Sequence, residues 1–384
     1  MPRHKFKTLS LAIILSLSGH APAARVAVRG AAQKNAPRRL YSAASAARDR
    51  EIAARFAPTF YQGLGERKRG DYITNFNFDG DWRGDNNWTN AGDQKFRLKA
   101  YVYYAVSETT THFFIHYAVF HPQDYKGGEV RGPILSEAIR EGVRRGGKYD
   151  PTGLSGKAVL AHENDMEGCL IVVSKNGGGL ERAEVVYVET LSHDRFLKYS
   201  RAGGAQNNSG QVRVEAERPQ LYVEPKGHGI EAFHGGEKQT PRGGSLTYQF
   251  TGRADDPEAR SEGPLGYELL PLYTELWPRA RKVPNETFAA GLKLETLMVR
   301  VAGKTGQAAS RQARLGSFGV AFRGSVGAAN MARPPWGWFD REERGLPPGV
   351  WFFDPASTVK RHFKLGDEFP NAYVSAPFVG VFRN

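Results

Sequence analysis

Three side chains in the spacing His-x-x-Asp-x-Glu, namely His162, Asp165 and Glu167, stand directly before the apolar run Gly168 to Val173. If this segment enters a strand, the two-residue period puts Asp165, Glu167 and Cys169 on one face, and His162 reaches that face from the preceding turn. An imidazole and two carboxylates converging beside a buried strand carry a desolvation penalty unless something neutralises them. A divalent cation does so. Carboxylate oxygens with one imidazole and water suit Ca²⁺, Mg²⁺ or Mn²⁺, and Zn²⁺ is compatible with them. Taken alone, the spacing is equally that of a solvated polar turn.

Other residues invite the same question. The run from Asp79 to Trp88 (DGDWRGDNNW) sets three aspartates and two asparagines among glycines. It lacks the glycine and terminal glutamate spacing of an EF-hand, so a turn-rich loop is the default and a second Ca²⁺ site the alternative. Trp82 and Trp88 would also suit a glycan-binding rim, because an aromatic face matches the apolar face of a pyranose. His112, His116 and His121 lie along one strand region, where a histidine satisfied inside a sheet is the expected role. His234 is the alternative to His228 as a partner for the acidic turn. No Gly-x-Ser-x-Gly elbow occurs, and Cys169 on a buried strand is a poor nucleophile.

The elements that must position these residues are mainly strands. Phe96 to Ser107, Thr111 to Phe120, Cys169 to Ser174, Ala183 to Glu189 and Arg218 to Val223 are short, rich in Val, Ile, Tyr and Phe, and bounded by Gly, Asn, Asp or Pro. The fold class is therefore mostly β, a β-sandwich in preference to a barrel, with long loops, one helical excursion and a C-terminal extension. The excursion is Ile134 to Arg145, and a second helix is predicted from Thr287 to Thr296. Residues 49–264 form the sandwich. Residues 265–384, with the segments SFGVAFRG, PPWGWFD and GVWFFDP, form a β- and aromatic-rich region packed on it.

The start of the chain reads as an address. Basic Arg3, Lys5 and Lys7, the apolar run Leu9 to Leu17 and the small residues Ala21 to Ala24 form a secretory signal over residues 1–24, and an Ala- and Arg-rich flexible leader follows over 25–48. The apolar run is about half of the roughly 20 residues that a membrane span requires, so no transmembrane segment is expected in the mature chain. Cys169 is the only cysteine of 384 residues, so no internal disulfide can form and an apolar core must supply the stability. Formal net charge is +13, and loss of Arg3, Lys5 and Lys7 with the signal leaves +10. Such a charge favours an anionic lipid headgroup or a glycan. With no zinc-finger spacing, RNP-like strand or phosphate loop, nucleic acid is not indicated.

Three segments in order resemble a known superfamily. Tyr117 to Asp124 (YAVFHPQD) is similar to a strand ending Tyr-x-Trp-Tyr-x-Pro-Lys-Asp. Ala161 to Val173 (AHENDMEGCLIVV) is similar to the heptapeptide Gly-His-Arg-His-Asp-Trp-Glu with its apolar strand, and Arg218 to Gly229 (RPQLYVEPKGHG) to a strand ending in a Gly-Ser-His-Ala-type turn. Over roughly residues 55–235 the chain thus resembles the secreted necrosis-inducing (Nep-like) proteins and their vacuolar-protein-sorting-type relatives. Met166 in place of the tryptophan, Ala161 and Glu163 in the heptapeptide, a longer loop after Asp124 and the missing disulfide cysteines make the sorting-type bacterial and fungal branch the closer match.

The resemblance implies a β-sandwich whose acidic turn holds a divalent cation, Ca²⁺ or Mg²⁺ first and Mn²⁺ or Zn²⁺ next. Asp124, His162, Asp165 and Glu167 become the metal-site residues, and His228 their direct or water-mediated partner. The expected function is a secreted or periplasmic, monomeric cation-binding protein that recognises a glycolipid, glycan or membrane surface and has cytolytic potential. Two alternatives stand beside it. One is a metal-dependent hydrolase of the cell envelope in which Glu167 or Asp165 serves as base and His228 as acid. The other is a cation with a purely structural role.

Overall fold

The long central strands show no alternation of burial, and that decides the architecture. The strands β2 (Tyr101–Thr109) and β3 (His112–Asp124) are buried along almost their whole length. A strand buried on both faces reads as a continuous apolar run, which is the character of YVYYAV and HFFIHYAVF. The sheet containing them is therefore a middle layer with packing on either side.

The computed structural model describes residues 42–125 apart from 83 and 85, 162–203, 208–236, 239, 241, 243–259, 262–278, 293–302, 308–317, 322–323, 329–330, 334–343, 345–346 and 349–379. The predicted signal, residues 25–41 of the leader and the predicted helix from Ile134 to Arg145 lie outside the described residues. Ahead of β1 (Thr59–Gly63) comes α1 (Ala43–Arg55), which takes in the last part of the stretch that composition assigns to the leader. Ser42 caps it by accepting from the Ser45 amide at 3.0 Å, and Ile52, Ala53 and Phe56 bury its inner side. Helix-favouring alanines and arginines suffice for a helix once such a face has somewhere to pack.

After β3 follow β4 (His162–Ser174), β5 (Glu184–Ser192), β6 (Arg195–Ser200), and the short β7 (Gly210–Gln211) and β8 (Val214–Glu215). Next come β9 (Arg218–Val223), β10 (Ile230–Ala232), β11 (Ser245–Phe250) and β12 (Leu265–Pro271). The hydrogen-bonded order β10–β9–β1–β11–β12–β2–β3–β4–β5–β6 is one continuous mixed sheet, with parallel pairs at β1–β9, β11–β12 and β12–β2. It curls until Thr190 Oγ1 of β5 donates to the Ile230 carbonyl of β10 at 2.6 Å. The two halves face each other as in a sandwich, while the ladder continues round the bend through β12 and β2.

The inner space is filled by Phe60, Leu221, Ile230, Tyr248 and Tyr267 from one half, and by Ile115, Tyr117, Cys169, Ile171 and Val188 from the other. The outer face of β2–β5 carries Tyr103, Phe114, Phe120, Met166, Leu170 and Val172, and the C-terminal region covers it with Trp336, Trp338, Trp351, Phe352 and Phe363. Burying each such ring is worth roughly 1.5–3 kcal/mol.

Two expectations for this region are corrected. Lys293 to Thr296, expected to end a helix, begins β13 (Lys293–Ala302), which pairs with β14 (Ala308–Ser317). The segment GVWFFDP, which reads as strand-like, instead forms α2 (Val350–Phe353) and leads into α3 (Pro355–His362). Aromatic enrichment cannot separate a strand from a short buried helix. Asp354 accepting from the Ser357 amide at 3.3 Å and proline at the first helical position then start α3. Two-residue strands β15 (Phe322–Arg323) and β16 (Ala329–Asn330) and a last strand, β17 (Tyr373–Ser375), complete the sheet.

Candidate functional site

β4 begins at His162, so the whole acidic motif lies in the strand rather than in a turn before it. Its ladder with β3 sets Val119 opposite Glu167, His121 opposite Asp165 and Asp124 opposite His162. Asp165 and Glu167 therefore share the inner face with Cys169. Asp124 is three residues beyond His121, an odd step that in a regular pleat crosses to the other face. Asn164, with φ 58°, interrupts the pleat of β4 between the two pairs. The side chain of His162 lies outside the described residues.

His228 joins the acidic pair directly. Its Nδ1 lies 2.9 Å from Asp165 Oδ2 and its Nε2 3.2 Å from Asp71 Oδ1, and the ring is fully buried. Burial opposes a charged ring, but the bonds to Asp165 and Asp71 outweigh it and raise the His228 pKa to about 9. The counter-charge that the buried carboxylates require is thus partly an imidazolium built into the fold. A second ring, His121, stacks on it with centroids 3.7 Å apart and planes 4° apart. Burial and the neighbouring His228 charge hold His121 neutral, and its Nε2 meets Gln62 Oε1 at 2.9 Å. Since Gln62 donates through its amide nitrogen to the Gly63 carbonyl at 2.8 Å, its oxygen is the acceptor and His121 Nε2 carries the proton.

The turn that delivers His228 is strained and held. Lys226 and His228 both occupy the left-handed region, with φ 71° and 55°. Asp71, at the end of a 3₁₀ turn over Lys68–Asp71, accepts from the Lys226 amide at 2.7 Å, the Gly65 amide at 2.7 Å and the Tyr125 hydroxyl at 2.6 Å, in addition to its contact with His228. One buried carboxyl group thereby ties three chain segments together behind the acidic pair.

The cluster opens on one side. Glu167, itself 4% exposed, lies with Oε1 3.9 Å from His193 Nδ1, and His193 Nε2 is 3.2 Å from Glu224 Oε2. The side chains of His193 and Glu224 are 37% and 40% exposed and form the mouth. His193 sits at φ 62° in the tight turn between β5 and β6. Sequence reasoning missed Asp71, Gln62, Tyr125, His193 and Glu224. Of these only Glu224 carried a signal, its place two residues before Lys226 in the segment that ends in the Gly-His turn.

Among the described residues no group of three or more His, Cys, Asp or Glu side chains is arranged to hold a metal ion. The donor chemistry of Asp165 and Glu167, oxygen-rich and close to an imidazole, fits a hard divalent cation.

The remaining candidates fall elsewhere. Trp88 is nearly sealed, in contact with Tyr125 and under the Arg67 guanidinium at 5.4 Å, so its ring is not an open sugar platform. Trp82 is half-buried and stacks on Phe76. His116 meets the Trp351 carbonyl at 3.2 Å on the outer face, and burial takes its pKa down to about 3. His112 is lowered to about 4 by burial and by Lys175. His234 is exposed beside Gln239. Cys169 is buried and its thiol pKa is pushed up by that burial. No described helix is long and apolar enough to cross a membrane.

No family model matches this chain, and no curated protein matches it. Among solved structures it is similar to one described as a toxin fold for microbial attack and plant defence, at 13% identity and TM-score 0.27 over 49% of this chain and 70% of that one. It is also similar to NLPPya in complex with glucosamine, at 13% identity and TM-score 0.29 over 62% of this chain and 75% of that one. A third is necrosis and ethylene inducing protein 2 from the causal agent of witches' broom disease of cocoa, at 13% identity and TM-score 0.27 over 58% of this chain and 73% of that one. These neighbours are necrosis-inducing proteins of the Nep1-like kind.

Proposed function

We propose that this chain is a secreted, cation-dependent recognition protein that binds a glycan or a glycolipid headgroup where β4 meets the turns at His193 and at Glu224 to Gly229. The observation that supports this reading is the composition of the cluster. Asp71 and Asp165 hold the His228 imidazolium between them, and Glu167 and Glu224 lie against His193 at the mouth. The cluster therefore gathers carboxylate oxygens beside a half-open mouth. Hard cations bind such oxygens, and sugar hydroxyl and amino groups donate to them.

In this reading Asp165 and Glu167 hold Ca²⁺ or Mg²⁺, with Asp124 and His162 contributing as the sequence resemblance implies and kinship closest to the sorting-type branch. His228 keeps Asp165 in place. The net basic charge of the chain supports approach to an anionic membrane. Leakage of vesicles that display the recognised headgroup is the expected consequence.

Glucosamine, mannosamine and vesicles carrying glycosylated inositol lipid are the probes, applied to wild type and Asp165→Asn with and without chelator. The expected result is stoichiometric divalent metal in the wild type, reduced metal in the variant, and binding or leakage that falls at least tenfold in the variant or with chelator. Equal responses in all four conditions would remove the cation and the cluster from the function.

A further inference from the structure

We propose, on the reading that Asp165 holds the cation, that His121 is a positioning residue whose flat ring fixes the tilt of the His228 imidazolium and, through it, the Asp165 carboxylate. The bonds from His228 Nδ1 to Asp165 and from its Nε2 to Asp71 leave from the two nitrogens of the ring. They fix the line through those nitrogens, and the tilt about that line has to be set from elsewhere. His121 sets it. Its ring lies parallel to that of His228, with 4° between the planes and 3.7 Å between the centroids, and both rings are fully buried. His121 is neutral, and the π face of a neutral ring attracts a cation that lies against it.

This wall stands on rigid elements. His121 lies in the ladder of β3 with β4, directly opposite Asp165. Gln62, two residues after Phe60 and on the same inner face of β1, meets it from the other half of the curled sheet. His121 Nε2 donates to Gln62 Oε1 at 2.9 Å, and Gln62 Nε2, besides its bond to the Gly63 carbonyl, lies 3.4 Å from the Glu224 carbonyl. The Glu224 amide donates to the Gly229 carbonyl at 2.9 Å and so closes the turn that carries His228. The contacts form a closed circuit. They run from His121 through Gln62 and Glu224 to the turn, and from His228 on that turn back to His121 through the stacked rings.

A histidine at this position does what no apolar residue does, because the ring supplies the wall and Nε2–H supplies the donor for Gln62. Packing alone would not favour it. Its Nδ1 is buried with no hydrogen-bond partner among the described residues, a desolvation penalty that phenylalanine or leucine avoids. The return is preorganisation. A cation drawing on Asp165 meets a carboxylate held by an imidazolium that is itself held in plane, and groups that orient a metal ligand in this way govern its affinity.

The test compares two apolar replacements in the full chain, His121→Phe, which keeps a flat ring, and His121→Leu, which does not. Both leave Gln62 Oε1 without its donor, so they differ in the wall. Proton NMR of the protein without metal reads the His228 imidazole N–H signals, which stay sharp only while the bonds to Asp165 and Asp71 hold, and calorimetric titration with Ca²⁺ and with Mg²⁺ reads the site. His121→Phe should keep the signals and an affinity close to wild type. His121→Leu should lose the signals and bind about tenfold more weakly or worse, the usual scale for a group that orients a metal ligand. If His121→Leu folds poorly, Gln62→Leu takes its place, because it keeps the ring, cuts the tether and should broaden the same signals. Sharp imidazole signals in the leucine variant, or equal losses in His121→Phe and His121→Leu, overturn the proposal. A wild type that binds neither cation overturns the cation reading alone, since the imidazole signals decide the positioning of His228 and Asp165 without metal.

Discussion

Two buried histidines in this molecule are each held between two carboxyl groups, and they do different work. On the inner side of β4, His228 sits between Asp71 and Asp165. Under the C-terminal cover, His362 of α3 sits between Glu189 of β5, 2.6 Å from its Nδ1, and Glu343 at its Nε2. Burial opposes the charge on His362 too, and Glu189 and Glu343 again win, raising its pKa to about 9.

The surroundings separate the two. Glu189 also accepts from Trp351 Nε1 at 2.5 Å, and Glu343 from Arg361 at 3.2 Å, so two carboxyl groups meet two cations and an indole N–H and are balanced. In the His228 cluster Asp71 and Asp165 flank the imidazolium, Glu167 and Glu224 lie against His193, and strained turns carry the set at a half-open mouth. A balanced set with His362 and Glu189 buried at its centre clamps the C-terminal cover to the sheet. The second set opens toward solvent at His193 and Glu224.

The comparison breaks most visibly at Glu189. Glu189→Ala leaves His362 and Trp351 Nε1 buried without their acceptor, so about 3–5 kcal/mol of stability should be lost in urea denaturation. Ligand binding per folded molecule should stay unchanged, and a loss of binding there would erase the distinction between clamp and receptor. Asp71→Asn is expected to cost less, about 1–3 kcal/mol, because the amide keeps one acceptor oxygen. Unlike the first variant, it should also weaken cation and amino-sugar binding and speed hydrogen exchange over residues 224–229, since Asp71 holds Lys226 and His228 in place.

The smallest effect is a pH dependence, isolated as the difference in stability between wild type and His362→Gln. The folded pKa of about 9 lies above the ordinary value of 6.5, so the wild-type advantage is fully present below about pH 6.5 and is lost as pH rises through about 9. Between pH 7 and 9 the loss is on the order of 1 to 2 kcal/mol. On the acid side Glu343, whose pKa is lowered in the fold by His362 and Arg361 against the effect of its burial, contributes stability above about 4.5 that is lost as pH falls through its folded value. A difference that grew toward alkaline pH would show that His362 is neutral in the clamp.

Legibility in the sequence followed the range of the interaction. β2, β3, β5 and β9 stand close to where apolar runs and turn residues place them, because burial on both faces needs an unbroken run of ring and branched side chains. Aromatic content in Val350 to Phe353 signals burial but not backbone, and tertiary packing against Trp336 and the sheet turned it into helix. Gly168 shows a constraint that no pattern announces. An added Cβ would collide with the Trp338 ring, whose Nε1 donates to the Met166 carbonyl at 3.0 Å, so the residue between Glu167 and Cys169 must be bare for the C-terminal cover to seat.

What the sequence by itself determined is whatever a strand's two-residue period and its neighbours encode: a mostly β chain, strands buried on both faces, and Asp165 and Glu167 side by side on one of them. Only the tertiary structure decided which groups answer them. Asp71 lies 157 residues from His228, His228 lies 63 from Asp165, and His362 lies 173 from Glu189. Contacts of that span leave no periodic trace. They arise because each buried carboxyl group must find its counter-charge wherever the curled sheet brings one within reach.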